Sequence, residues 1–142
     1  MRLITWNVNS LRPRLGRVLA LLEREQPDIV CLQETKALDG ELPAGQLSDA
    51  GYVTTSYGQR PYNGVAILSR SAPDQVTRGF VGDPTPDDAR VLTARFGDLT
   101  VINTYVINGR NVNDPMYQVK LEWLTALQHW VAGSFDPTDA LI

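Results

Sequence analysis

The chain has 142 residues, 43% of them hydrophobic and 20% charged, which suits one globular domain with a real core and is too short for two comfortable ones. Its net charge of −3 and pI near 5.0 exclude a global basic field, so any nucleic-acid contact must come from a local patch. With a single cysteine, Cys31, no disulfide framework can form within the chain, and no apolar run approaches the roughly 18 residues of a membrane span.

The opening segment 2–8, "RLITWNV", alternates as a strand, with Leu3, Thr5 and Asn7 on one face and Ile4, Trp6 and Val8 on the other. Because this strand starts at once, no signal peptide is expected, and the chain reads as an intracellular, cytoplasmic protein. Pro13 suits a first helical turn, and Leu15, Val18, Leu19 and Leu22 follow at helical spacing until Pro27 stops the helix. "DIVCLQE", 28–34, is apolar on both faces, as a central strand should be, and makes Cys31 a buried, inert thiol.

A short helix is expected over 43–50, closed by Gly51. Strands follow at 52–58 and 64–70 around the loop "QRPYN". After the Pro/Asp loop "VGDPTPDD", a hairpin is expected from 90–96 and 99–106 about Gly97-Asp98. Asp114-Pro115 supplies an N-cap and an N1 proline for a helix carrying Tyr117, Leu121, Trp123, Leu124, Leu127 and Trp130. The closing "DALI" opens like another strand. A chain ending there would leave backbone groups of its sheet unpaired, so the sequence reads as part of a longer one. The pattern predicts an α/β fold.

Several strands end on polar residues that a core would waste. The first ends in Asn7-Val8-Asn9, the second in Glu34-Thr35-Lys36, and "VINTYVING" puts Tyr105 and Asn108 at another strand end. If these ends share a rim, a carboxylate flanked by carboxamides and a phenol makes a hard-cation and phosphate site. Mg²⁺ typically takes one or two protein carboxylates and completes its shell with water and substrate phosphate. Each residue also has a plain structural reading: Glu34 as a cap or salt-bridge partner, Asn7 and Asn9 as turn residues, and Tyr105 as a half-buried core aromatic.

Taken in order, "ITWNVNSLR", "PDIVCLQETK", "YNGVAILSR", "RVLTARF" and "VINTYVING" resemble the exonuclease III / abasic-site endonuclease family of the endonuclease–exonuclease–phosphatase superfamily. The resemblance implies a four-layer α/β sandwich of two packed mixed sheets flanked by helices, and Mg²⁺-dependent cleavage of phosphodiesters, with Mn²⁺ as an alternative metal. The implied partner is damaged duplex DNA carrying abasic sites or blocked 3′ ends, acted on by a monomeric full-length enzyme with no membrane involved. Carried over by motif, Glu34 is the metal ligand, Asn7 the carboxamide beside metal and attacking water, and Asn9 a neighbour in the next shell. Tyr105 lies against the scissile phosphate. Arg12, Lys36, Tyr62, Asn63 and Arg90 match positions that contact DNA or shape its potential.

The sequence departs from the family's pattern in three places. Ile107 stands where the family usually has proline, and Pro61 where glycine is common. The family's later "GD-N" and "SDH" motifs, which bring the remaining carboxylates and a histidine, do not occur. The one histidine, His129, sits mid-helix and is not expected to be catalytic. Residues 1–142 are therefore expected to form an incomplete domain, the N-terminal half of such an enzyme, inactive alone; the alternatives are a catalytically dead DNA-binding module, or a phosphatase or RNA-processing relative of the same superfamily. One sheet face is expected to lie open for want of the second sheet.

Overall fold

The computed structural model describes residues 1–142. Strand β1 (Leu3–Asn7) leads through a 3₁₀ turn at Arg12–Arg14 into helix α1 (Leu15–Glu25), which places Val18 and Leu22 on its buried face. Pro27 ends that helix, as its sequence requires, and β2 (Ile29–Gln33) follows with every residue buried. Helix α2 (Ala44–Asp49) and strands β3 (Val53–Tyr57) and β4 (Val65–Ser69) complete a first sheet of order β1-β2-β4-β3. In it β1 and β2 are parallel, while β4 runs antiparallel to both its neighbours.

The second sheet contains β5 (Gln75–Arg78), β6 (Val91–Phe96), β7 (Leu99–Thr104) and β8 (Ala140–Leu141), in that order. Its β6–β7 hairpin turns at Gly97-Asp98, with Gly97 at φ +60°. Helix α3 (Pro115–Ser134) connects β7 to β8, and the side chain of its N-cap Asp114 accepts from the Met116 N–H at 2.9 Å. Strand β5 has no counterpart in the sequence reading. It is an edge strand, exposed along its length, with one apolar residue in four, so no burial pattern marks it.

Four layers result. Val30, Leu32, Ala66 and Leu68 pack on one side of the first sheet against Val18 and Leu22 of α1 and Leu47 of α2. On its other side Ile29, Cys31, Val65 and Ile67 meet Leu92, Ala94 and Val101 of the second sheet. Behind that sheet Trp123 is fully buried against Val91 and Ile107, with the Phe80 ring edge-on at 5.8 Å. The expectation of an open sheet face is thus corrected: the second sheet lies within these residues and covers it. No helix is long and apolar enough to cross a membrane.

One polar pair interrupts the layer between the sheets. Asn103 of β7 donates through Nδ2 to the carbonyls of Leu32 and Ala66, at 2.9 Å each, and so reaches two strands of the facing sheet. Its Oδ1 accepts from Gln33 Nε2 at 2.7 Å, and Gln33 Nε2 also reaches Thr5 Oγ1 at 3.0 Å. Removing one partner of such a set leaves buried groups unpaired, whereas replacing both with apolar groups restores much of the loss. Asn103→Leu should cost about 2–4 kcal/mol in urea unfolding, and adding Gln33→Met should recover part of it.

Candidate active site

Parallel pairing of β1 with β2 aligns Asn7 with Gln33, so the two strands finish side by side. Past their ends the backbone turns sharply. Asn9, Ser10, Glu34 and Lys36 have φ of 42°, 83°, 55° and 51°, and Asn63, just before β4, has 60°. Non-glycine residues seldom hold such angles, at a cost of order 1–3 kcal/mol each, and they persist where surrounding bonds fix them. Here Ser10 N–H donates to the Glu34 carbonyl at 2.7 Å, and Leu11 N–H to that of Thr35 at 3.0 Å. Thr35 and Lys36 N–H groups donate to the carbonyls of Gly64 and Asn63, at 3.0 and 3.1 Å. Gly64, at φ +85°, has no room for a side chain, because a Cβ there would lie 2.3 Å from Thr35 Oγ1. The three strand-end loops are locked together.

This frame gathers Glu34, Asn7, Asn9, Lys36 and Tyr105. Asn7 Nδ2 donates to Glu34 Oε1 at 2.7 Å, while Lys36 Nζ lies 3.1 Å from Glu34 Oε2 and 2.6 Å from Asn9 Oδ1. Asn7 Oδ1 accepts from the Asn9 backbone N–H at 3.0 Å. That bond fixes the amide's orientation, since a backbone N–H can meet only the oxygen. Asn7, expected as the carboxamide beside the metal, turns its N–H toward Glu34 and orients the carboxylate.

Burial acts to raise the Glu34 carboxyl, but hydrogen bonds from Asn7, Lys36 and Tyr105 and the charge of Lys36 outweigh it and hold it below the usual range. Burial pushes the Tyr105 phenol up, as do its hydrogen bond with Glu34 and that carboxylate's charge; Arg90 offsets them in part. Glu34 is thus an anion and Tyr105 a protonated donor at neutral pH.

Arg90 stacks on Tyr105, its guanidinium carbon 5.0 Å from the ring centroid, and Asp88 Oδ2 accepts from Arg90 Nε at 2.8 Å. Of the other expected DNA contacts, Arg12 is exposed on its 3₁₀ turn and Tyr62 is 70% exposed. Asn63 and Arg90 are largely buried, and part of their hydrogen bonding is made within the protein: Asn63 Nδ2 donates to Gln59 Oε1 at 2.8 Å. Gln59 went unnoticed in the sequence. Its Oε1 also accepts from Ala89 N–H at 2.8 Å and its Nε2 donates to the Asp87 carbonyl at 3.0 Å, joining the Tyr62 loop to the loop before β6. Asp88 and Asn103 were also missed, because nothing in their local sequence shows what they reach.

No group of three or more His, Cys, Asp or Glu side chains is placed to hold a metal. The donor set fits a hard cation of another kind: one ionised carboxylate with a neutral carboxamide oxygen nearby, leaving most ligands to water and substrate. His129 lies exposed on α3, outside this group.

A two-sheet α/β sandwich with a lone carboxylate, a phenol, a stacked guanidinium and carboxamides at its strand ends offers the donors that suit a phosphate group held through a hard cation. Residues 4–142 match the model of the Endonuclease/Exonuclease/phosphatase family, and the chain belongs to that family. It is 31% identical to exodeoxyribonuclease III of Haemophilus influenzae over 147 aligned positions, covering all of this chain and 55% of that protein. A 3′ phosphatase from Neisseria, solved with a product DNA hairpin, superposes with a TM-score of 0.89 at 41% identity, over 94% of this chain and 52% of its own. An AP endonuclease from Archaeoglobus fulgidus gives 0.88 at 39%, with the same coverages of 94% and 52%. The chain spans about half the length of the curated relatives it matches. These relatives are thus an exodeoxyribonuclease, a 3′ phosphatase and an AP endonuclease.

Because the folded-state pKa of Glu34 is depressed, its contribution to stability is present above the ordinary carboxylate range and is lost as pH falls through the lowered value. The urea midpoint should therefore drop more steeply between about pH 5 and 3 in the native chain than in Glu34→Gln. Equal slopes would mean that Glu34 is not held by these bonds.

Proposed function

We propose that this chain carries the Glu34 side of the active site of a Mg²⁺-dependent phosphodiesterase that cuts duplex DNA at abasic sites or clears blocked 3′ ends. The observation that carries it is the meeting of Glu34 with Asn7, Lys36 and Tyr105, backed by Arg90, at one rim. Membership of a metal-dependent nuclease family supports it, as do relatives that act on DNA.

Each residue has a role that its geometry suits. Glu34 and the Asn9 side-chain Oδ1 would hold Mg²⁺, which would supply positive charge to offset that on the phosphate and the leaving oxygen. Asn7 holds the carboxylate in place. Tyr105, kept protonated, donates toward a phosphate oxygen, and Arg90 adds positive charge behind the ring. Donors fixed before the reaction cost little reorganisation during it. Arg12 and Tyr62 face outward, where they would hold the duplex by its backbone, which positions it without reading sequence. An abasic nucleotide lacks stacking, so extruding it costs less than flipping a normal base. A cytoplasmic, nucleoid-associated location suits such a substrate.

None of the side chains gathered around Glu34 is a free base that could take a proton from water. The 142 residues alone are therefore proposed to be inactive. The test uses a duplex oligonucleotide with one abasic site, offered with Mg²⁺ to this chain and to one extended to the full length of the relatives. We expect incision from the longer chain alone, abolished by EDTA or Glu34→Ala and lowered about 10²–10³-fold by Tyr105→Phe. Incision that survives Glu34→Ala would overturn the reading.

A further inference from the structure

Lys36 occupies an unusual position for a DNA-contacting lysine. Its side chain is only 24% exposed, and it points into the site rather than out toward a duplex. Glu34 and Lys36, both at positive φ and separated by buried Thr35, bring carboxylate and ammonium to one point. The Lys36 backbone is pinned by its N–H bond to the Asn63 carbonyl. Its ammonium spans two oxygens of different kinds: Glu34 Oε2 at 3.1 Å and Asn9 Oδ1 at 2.6 Å. An ionised carboxylate oxygen beside a neutral amide oxygen is the donor pair that a small divalent cation takes from a protein. The other Glu34 oxygen already accepts from Asn7, so Oε2 is the one that Lys36 guards.

We propose that Lys36 is a built-in placeholder cation, whose ammonium occupies in the metal-free chain the two oxygens on which a divalent metal binds. This rests on Glu34 being the metal's carboxylate and adds that metal and ammonium compete for it. The ion pair keeps the carboxylate ionised and correctly turned while the site waits, and it lowers the apparent metal affinity in proportion to how often Lys36 is in place. Once displaced, the same ammonium is free to reach a substrate phosphate, so metal loading would arm the site for DNA.

Mn²⁺ binding to the 142-residue chain, followed by its electron paramagnetic resonance signal, tests this without any turnover. Lys36→Gln and Lys36→Met should each bind Mn²⁺ about fivefold or more tightly than the native chain, the scale expected for losing one partly exposed ion pair. Affinity unchanged or weakened in both would overturn the proposal. Glu34→Gln separates the two ideas: Mn²⁺ binding that persists there would remove Glu34 as the ligand, whereas loss there with no gain at Lys36 would sink only the placeholder. A measurement on the unmutated chain decides the case if those variants fold poorly. The chain has two lysines, Lys36 and Lys120, so the Lys36 ¹⁵Nζ resonance can be followed alone. Saturating Mg²⁺ should shift it to that of a solvent-exposed ammonium, and an unmoved resonance would overturn the competition.

Discussion

The site depends on one buried carboxamide pair. Asn103 bridges the sheets by donating to carbonyls of both β2 and β4, and Gln33 closes the arrangement from the other side. The apolar residues around the pair hold the sheets together without fixing how one slides over the other, because burial has no direction. Directed bonds to two facing carbonyls do fix it. Tyr105 lies two residues beyond Asn103 and Glu34 one beyond Gln33, so the bonds that align the sheets also bring phenol and carboxylate together. A buried amide that failed to find these partners would cost more than it contributes, which makes the alignment all or nothing.

The strand-end loops add a second constraint. Five non-glycine residues near the site hold positive φ, and each strained turn is tied to the next by backbone hydrogen bonds. Strain concentrated in this way marks a place where geometry is held for a purpose other than stability. Gly64 shows how tight the arrangement is, since its missing side chain is what lets the Thr35 hydroxyl come so close. Gln59 extends the same frame toward solvent, so the exposed Tyr62 stands on a loop anchored to the loop that bears Arg90.

Local charge reconciles an acidic chain with the anionic substrate proposed for it. The net charge is −3, yet the cations near the rim are placed individually. Lys36 sits on Glu34, Arg90 lies over Tyr105, and Arg12 is free at the surface. At such short range a fixed neighbouring charge matters more than the distant field, which salt screens within about 10 Å.

Much of this was legible in the sequence, for a physical reason. The alternation in β1, the apolar run of β2, the helical spacing of α1, the Gly97-Asp98 turn and the Asp114-Pro115 cap are local signals, and local backbone preferences fixed those elements. The polar strand ends also stood out, since Asn7, Glu34 and Tyr105 interrupt apolar patterns where a core would have none. What the sequence left open was everything that depends on which strands face each other. Edge strand β5 buries too little to leave a pattern, and the presence of the second sheet over the first is a matter of topology. The burial of Asn63 and Arg90, the orientation of the Asn7 amide and the grip of Lys36 on Glu34 and Asn9 arise from groups far apart along the chain. So do the roles of Gln59, Asp88 and Asn103. The sequence by itself determined which residues had chemistry to offer and where the strands would deliver them. Only the tertiary structure decided which atoms meet, because hydrogen bonds and ion pairs act over about 3 Å, a distance no spacing along the chain can specify.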